Sequence, residues 1–180
     1  VFSLMLSAVI LLPVAVCALS AGRMSADRWI PLLYPKSYYK NFVSAFLYGE
    51  AGNWSEMGYT AYGLLGIFLL FLQKKKNTLL KAGFVVMTLF MLLPFAGYVM
   101  NGGSYAANRY AWAYGMLVAY IFVHTWPELR TLTERQKRIL ILSCIGYGAL
   151  CLVMDEGRTK GVLSALILLT ALILWLLTVG

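Results

Sequence analysis

Charged residues are scarce in this sequence of 180 residues. Lysine, arginine, aspartate and glutamate together make up 12% of it, whereas 61% of the residues are hydrophobic. A soluble globular domain carries about 25% charged residues. This deficit excludes a water-soluble domain and indicates a chain that is embedded in lipid.

Acidic residues are scarcer than basic ones. The sequence has seven acidic and fifteen basic residues, which gives a net charge of +8. A basic chain can bind nucleic acid, but here the basic residues cluster beside apolar runs. Eight of them lie in "QKKKN" (73–77), at Lys81 and in "PELRTLTERQKR" (127–138). Clusters at the ends of apolar runs are topology signals. We therefore predict membrane lipid as a partner and no nucleic acid.

Groups that bind metals or cofactors are also few. Cys17, Cys144 and Cys151 lie in apolar runs without a CxxC motif, and His124 is the only histidine. No metal-ligand spacing results. There is no P-loop, GxSxG, HExxH or dinucleotide-binding fingerprint. The sequence therefore predicts no metal site and leaves the catalytic residue and any cofactor unknown.

Long apolar runs are what the sequence has in abundance. A helical span needs about 20 apolar residues, and a helix satisfies its own backbone in lipid. We predict an all-α, polytopic transmembrane helical bundle that forms one domain over residues 1–180. Its six spans are expected at about 1–20, 57–73, 78–100, 108–126, 138–154 and 161–179.

The basic clusters also predict an orientation. Basic residues concentrate in short cytoplasmic loops, which places 74–77 and 127–137 inside the cell. The loops 21–57, 101–107 and 155–160 then face outward, and we expect a multi-pass protein of the bacterial plasma membrane. No charged residue lies deep within the second, fourth or sixth predicted span, which argues against an ion pump or a proton-coupled transporter.

Two features predict how the bundle is organised. The 37-residue outer loop 21–57 is aromatic and amphipathic, so we expect part of it to lie on the outer membrane surface as a short helix. Ala111, Gly115 and Ala119 recur at intervals of four in the fourth span. Small residues at this spacing allow close helix contact in membranes, and they predict a packing seam.

The polar stretch "NGGSYAANRY" (101–110) is the strongest candidate site. Asn108 is a favourable N-cap residue for the fourth span, and the next residue, Arg109, offers five donors in a planar fork. Together with Tyr105 in the same loop, they predict an anion site suited to a phosphate. The alternative is an arginine that extends to the membrane interface.

Other residues of the predicted outer loop have two possible roles each. Arg23 follows the first span on the same side and either joins the phosphate site or is solvated. Glu50 and Trp54 lie in "YGEAGNW" (48–54), where an aromatic ring beside a carboxylate suits either sugar stacking or interface anchoring. None of the outer acids has a recognisable catalytic spacing.

Two segments resemble the bacterial YfhO membrane-protein family. The first, "LLPVAVCALSAGR" (11–23), is a proline-containing apolar run followed by Ser20 and Arg23. The second, "NGGSYAANRYAWAYGMLVAY" (101–120), has the form Asn-Gly-x-Ser-Tyr followed by Asn-Arg-aromatic and a span. Tyr110 stands where tryptophan is commoner in the family.

The resemblance implies a GT-C-like glycosyltransferase with about a dozen spans. Such an enzyme takes sugar from a polyprenyl-phosphate carrier at the outer face and transfers it to a cell-envelope polymer. Its catalytic acid lies in the first outer loop. This sequence begins with valine and has no signal-peptide n-region, so we expect an internal piece that lies downstream of that loop. The alternatives are a transporter or flippase of a lipid-linked substrate and a structural bundle that scaffolds a partner.

Overall fold

The computed structural model describes residues 16–17, 30–49, 52, 55, 57, 60–73, 77–103, 105–154 and 159–179. No strand occurs among these residues, so the all-α prediction is confirmed for them. The α-helices are numbered α1 to α7 in chain order, and a 3₁₀ helix follows α5. Their bounds are α1 Lys36–Tyr48, α2 Ala61–Leu72, α3 Thr78–Leu92, α4 Pro94–Met100, α5 Ala111–Thr125, the 3₁₀ helix Trp126–Arg130, α6 Glu134–Met154 and α7 Thr159–Val179.

The last two helices are long and apolar enough to cross a membrane. Each has 21 residues, and at about 1.5 Å per residue they match a hydrocarbon core of about 30 Å. α6 begins four residues before its predicted span because Thr133 and Gln136 form a capping box. Thr133 N donates to Gln136 Oε1 at 3.0 Å, and Gln136 N donates back to Thr133 Oγ1 at 3.4 Å.

The third predicted span is bent rather than straight. α3 and α4 meet at Leu93 with an angle of 94° between them. Proline has no N–H and its ring clashes with the preceding turn, so Pro94 ends α3 and opens α4. The pair is one broken span or a re-entrant segment, so the third predicted span, 78–100, is interrupted at Leu93.

The predicted number of six spans is not reproduced in the described part of the chain. Two helices are long enough, or three if the bent pair is one span. α2 has 12 residues and α5 has 15, both shorter than a bilayer core requires. α5 ends early because Pro127 converts its continuation into a 3₁₀ helix. The predicted span 1–20 lies almost wholly outside the described residues.

The predicted loop 21–57 contains α1, which is a packed helix rather than a surface one. Its C-terminal half is largely buried, including Phe42, Ser44 and Ala45. Hydroxyls of the two long helices donate to its backbone. Tyr147 donates to the carbonyl of Val43 at 2.6 Å, and Ser164 donates to that of Ser44 at 3.0 Å. The expected short helix exists, but it is fastened to α6 and α7.

The predicted seam of small residues on α5 is wrong. Ala111 is buried, but Ala119 is exposed. The buried face is instead formed by Ala111, Tyr114, Val118, Ile121 and Thr125. Close approach occurs on the partner helix, where a Cβ added at Gly66 of α2 would lie 2.9 Å from the Cα of Phe122.

Candidate functional site

A buried cluster of polar side chains lies where the third predicted span bends. Asn108 is fully buried and its amide nitrogen donates to Tyr38 Oη at 2.8 Å, to Ser55 Oγ at 2.8 Å and to the carbonyl of Met91 at 3.1 Å. Its amide oxygen accepts from Tyr34 Oη at 3.1 Å. We call these four side chains, with the Met91 carbonyl, the Asn108 hub.

The bend explains why polar groups gather here. The last carbonyls of a helix have no intrahelical partner, and the usual partner of Phe90, the nitrogen of Pro94, carries no hydrogen. Tyrosine hydroxyls supply the missing donors. Tyr110 bonds to Phe90 O at 2.6 Å, Tyr38 to Met91 O at 2.6 Å and Tyr39 to Leu92 O at 3.1 Å. Irregular backbone at membrane depth is tolerated where protein covers it, and these side chains provide the cover.

A glycine allows α4 to pack against the hub. A Cβ at Gly97 would lie 2.9 Å from Asn108 Oδ1, 3.0 Å from Tyr34 Oη and 3.1 Å from the nitrogen of Ala107. The first distance is shorter than real Cβ atoms show, and the other two are tighter than most Cβ contacts. Gly97 is therefore required for the loop before α5 to reach the bend.

The structure places Asn108 and Arg109 in different environments. Asn108 is not a helix cap, because Tyr110 occupies the N-cap position of α5 and no side chain caps that helix. Arg109 is exposed and donates to the hydroxyl of Tyr105. Its guanidinium carbon lies 5.4 Å from the centroid of the Tyr105 ring. Arg23 lies outside the described residues.

The hub consists of neutral hydrogen-bonding groups. Burial raises the pKa of Tyr34, although its hydrogen bond to Asn108 lowers the pKa in part. Burial also raises the pKa of Tyr38, and its bond to Ser55 lowers it in part. Both hydroxyls therefore stay protonated at neutral pH. Among the described residues no three His, Cys, Asp or Glu side chains could share a metal ion.

A second polar cluster lies at the other end of α3 and α5. The two helices are antiparallel, since Tyr110 meets Phe90 near one end and His124 Nε2 lies 3.2 Å from Asn77 Oδ1 near the other. Gln73 joins this cluster through Asn77, at 3.1 Å, and through the carboxylate of Glu128. These contacts tie the connection between α2 and α3 to the 3₁₀ helix and leave His124 at a polar interface.

Sequence reasoning missed three members of the hub. Tyr34, Tyr38 and Ser55 lie in the segment that was expected to rest on the membrane surface. The signal was "YPKSYY" (34–39), which places three tyrosines within six residues. Pro94 lies in an apolar run and leaves backbone carbonyls without donors, and the tyrosine hydroxyls can supply those donors.

Comparison with known proteins gives one result. The family model described as "Bacterial membrane protein YfhO" matches residues 1–180. No curated protein matches the chain significantly, and no solved structure does so.

Proposed function

Because the chain belongs to the YfhO family of bacterial membrane proteins, we propose that it is part of an integral membrane glycosyltransferase. The enzyme uses a polyprenyl-phosphate-linked sugar at the outer face of the plasma membrane and acts on a cell-envelope polymer. In this proposal the described residues hold the carrier, and the 101–110 loop binds its phosphate.

The observation that supports the proposal is the position of Arg109. Its side chain is exposed, while the residue before it is fully buried and held by four hydrogen bonds. A guanidinium can bind two phosphate oxygens at once. Holding the turn in one conformation lowers the entropic cost of binding. Such a fixed arginine suits a lipid-linked phosphate that arrives along the membrane.

Tyr105 completes the proposed phosphate site. Its ring and its hydroxyl both contact Arg109, and a guanidinium is attracted to the face of an aromatic ring. This contact limits the rotamers of the arginine. We therefore assign Tyr105 to orient Arg109 and Arg109 to bind the phosphate. The hub offers no carboxylate, so we assign it no role in proton transfer.

The test measures carrier affinity and sugar transfer in the full-length protein for Arg109→Ala and Arg109→Lys. A charge-assisted hydrogen bond is worth about 1.5–3 kcal/mol, so Arg109→Ala should weaken carrier binding about ten- to a hundredfold. Lysine keeps the charge and loses the fork, so Arg109→Lys should recover part of the affinity. Arg130→Ala is the control, because Arg130 is also exposed and lies in the predicted cytoplasmic connection.

Three outcomes would contradict the proposal. Equal carrier binding by the wild type and Arg109→Ala would make Arg109 an interface anchor. Full recovery of carrier affinity in Arg109→Lys would show that the positive charge alone, without the guanidinium fork, accounts for binding. Movement of the carrier across the bilayer without sugar transfer would favour a transporter or flippase. All binding is compared at matched folded yield, so that loss of protein is not read as loss of affinity.

A further inference from the structure

Asn108 and Arg109 share a peptide unit, yet one side chain is buried and the other exposed. The backbone of this turn is closed by a hydrogen bond from Ala111 N to Asn108 O at 2.9 Å. Whatever fixes Asn108 therefore fixes the start of the Arg109 side chain. The hub does so from several directions, since its partners come from α1, from α3 and from the segments that flank α1.

The hub needs a carboxamide in this place. The amide nitrogen donates toward the Met91 carbonyl, which can only accept, and the amide oxygen accepts from Tyr34. An aspartate could accept from the tyrosines but could not donate to Met91 O. An alanine would leave hub groups buried without a partner, which is costly. The Asn108 side chain therefore uses both its donor, the amide nitrogen, and its acceptor, the amide oxygen.

We propose that Asn108 is the positioning residue of the phosphate site: it locks the 105–110 turn to the bend between α3 and α4 and thereby holds Arg109 where the carrier phosphate binds. This inference rests on the proposed function. It assigns the bend a purpose in binding, because the carbonyl of Met91 in the last turn of α3 is one of the anchors of Asn108.

The experiment separates binding of the phosphate from binding of the chain. The probes are a polyprenyl monophosphate and the polyprenol of the same length, and the measured quantity is the ratio of their affinities for the full-length protein. Arg109→Ala should lower this ratio and leave polyprenol binding unchanged. Asn108→Ala should lower the same ratio about tenfold, because a displacement of about 1 Å is enough to misplace a binding group.

Milder variants keep the test valid if Asn108→Ala does not fold. Tyr34→Phe removes only the donor to Asn108 Oδ1 and should lower the ratio about two- to fivefold, in line with one hydrogen bond. Tyr147→Phe is the matched control. It also removes a tyrosine donor to a backbone carbonyl, that of Val43, but it touches no member of the hub, and it should leave the ratio unchanged.

The decisive comparison is the double variant Asn108→Ala/Arg109→Ala. If Asn108 acts through Arg109, the double variant has the same ratio as Arg109→Ala alone, because residues in one unit are not additive. Additive losses, or a ratio unchanged in both Asn108→Ala and Tyr34→Phe, would overturn the positioning role while the phosphate site stands. If Arg109→Ala itself leaves the ratio unchanged, the phosphate site fails, and the positioning role fails with it.

Discussion

Tyr34 and Tyr38 bring two buried hydroxyls to the Asn108 hub, and each bonds to the Asn108 side chain. A buried hydroxyl is stabilising only while it keeps its proton and its partner. Ionising either tyrosine would place a negative charge beside buried acceptors. At this scale the stability of the bend depends on the protonation of single side chains.

Alkaline pH should therefore destabilise the protein through the hub. Burial raises the pKa of Tyr34 and Tyr38 above the ordinary tyrosine value of 10.0. Because the folded-state pKa is raised, this contribution to stability is complete below pH 10 and is lost as pH rises through the folded-state pKa. We expect the Tm in detergent to fall above about pH 10. The fall should be shallower in Tyr38→Phe, and identical pH profiles would contradict this.

At the scale of the element, contacts between helices rest on particular glycines. Gly66 allows the backbone of α2 to approach α5, whereas Gly83 in α3 has open space around it. Of the three small residues in the predicted seam, Ala111 is buried, Gly115 is half-buried and Ala119 is exposed. Sequence spacing shows that small residues share a face. It cannot show which face turns toward the neighbour.

The two glycines give a matched test of helix packing. Gly66→Ala places a Cβ 2.9 Å from the Cα of Phe122, so α2 and α5 must separate, and we expect a loss of about 1–3 kcal/mol. Gly83→Ala meets nothing within 4 Å and should stabilise α3 by up to about 1 kcal/mol. Thermal unfolding in detergent compares the two. Equal changes in stability would show that helix propensity alone, and not the close approach at Gly66, determines the effect of the substitution.

The bend shows how far sequence reasoning reaches. Pro94 was visible in the apolar run 78–100, and a proline usually breaks or kinks a helix. The donors that satisfy the carbonyls at the bend include Tyr38 and Tyr39, each 53 residues from its acceptor. Hydropathy predicted the apolar helices and the class of protein. It did not predict the hub, because hydrogen-bond partners that are 17 to 74 residues apart leave no local pattern.

At the scale of the whole molecule, the two polar clusters mark opposite ends of the antiparallel pair α3 and α5. The basic residues predict that the end with Lys81 and Arg130 faces the cytoplasm. The Asn108 hub and Arg109 would then face outward, as the proposed function requires. The proposed phosphate site on the outer face therefore depends on which end of the α3–α5 pair faces the cytoplasm.

Labelling of single cysteines tests the orientation. The native Cys17, Cys144 and Cys151 are first replaced, so that only an introduced thiol reacts. A membrane-impermeant reagent added to intact cells should label a cysteine at Ser104 and should not label one at Asn77. After the membrane is permeabilised, the reagent reaches both sides and should label both positions. Labelling of Asn77→Cys from outside would reverse the orientation and contradict a phosphate site on the outer face.

The bend also has a consequence for the order of biosynthesis. The run 78–100 is mostly apolar and precedes Asn108 and Tyr110 in the chain, so it reaches the bilayer ahead of these two residues. At that stage Phe90 lacks its tyrosine donor and Met91 lacks its amide donor. We therefore expect the nascent chain to insert this run as one straight hairpin arm. It should fold over at Pro94 when the following loop arrives, so the bend forms by a rearrangement within the membrane after the run has inserted.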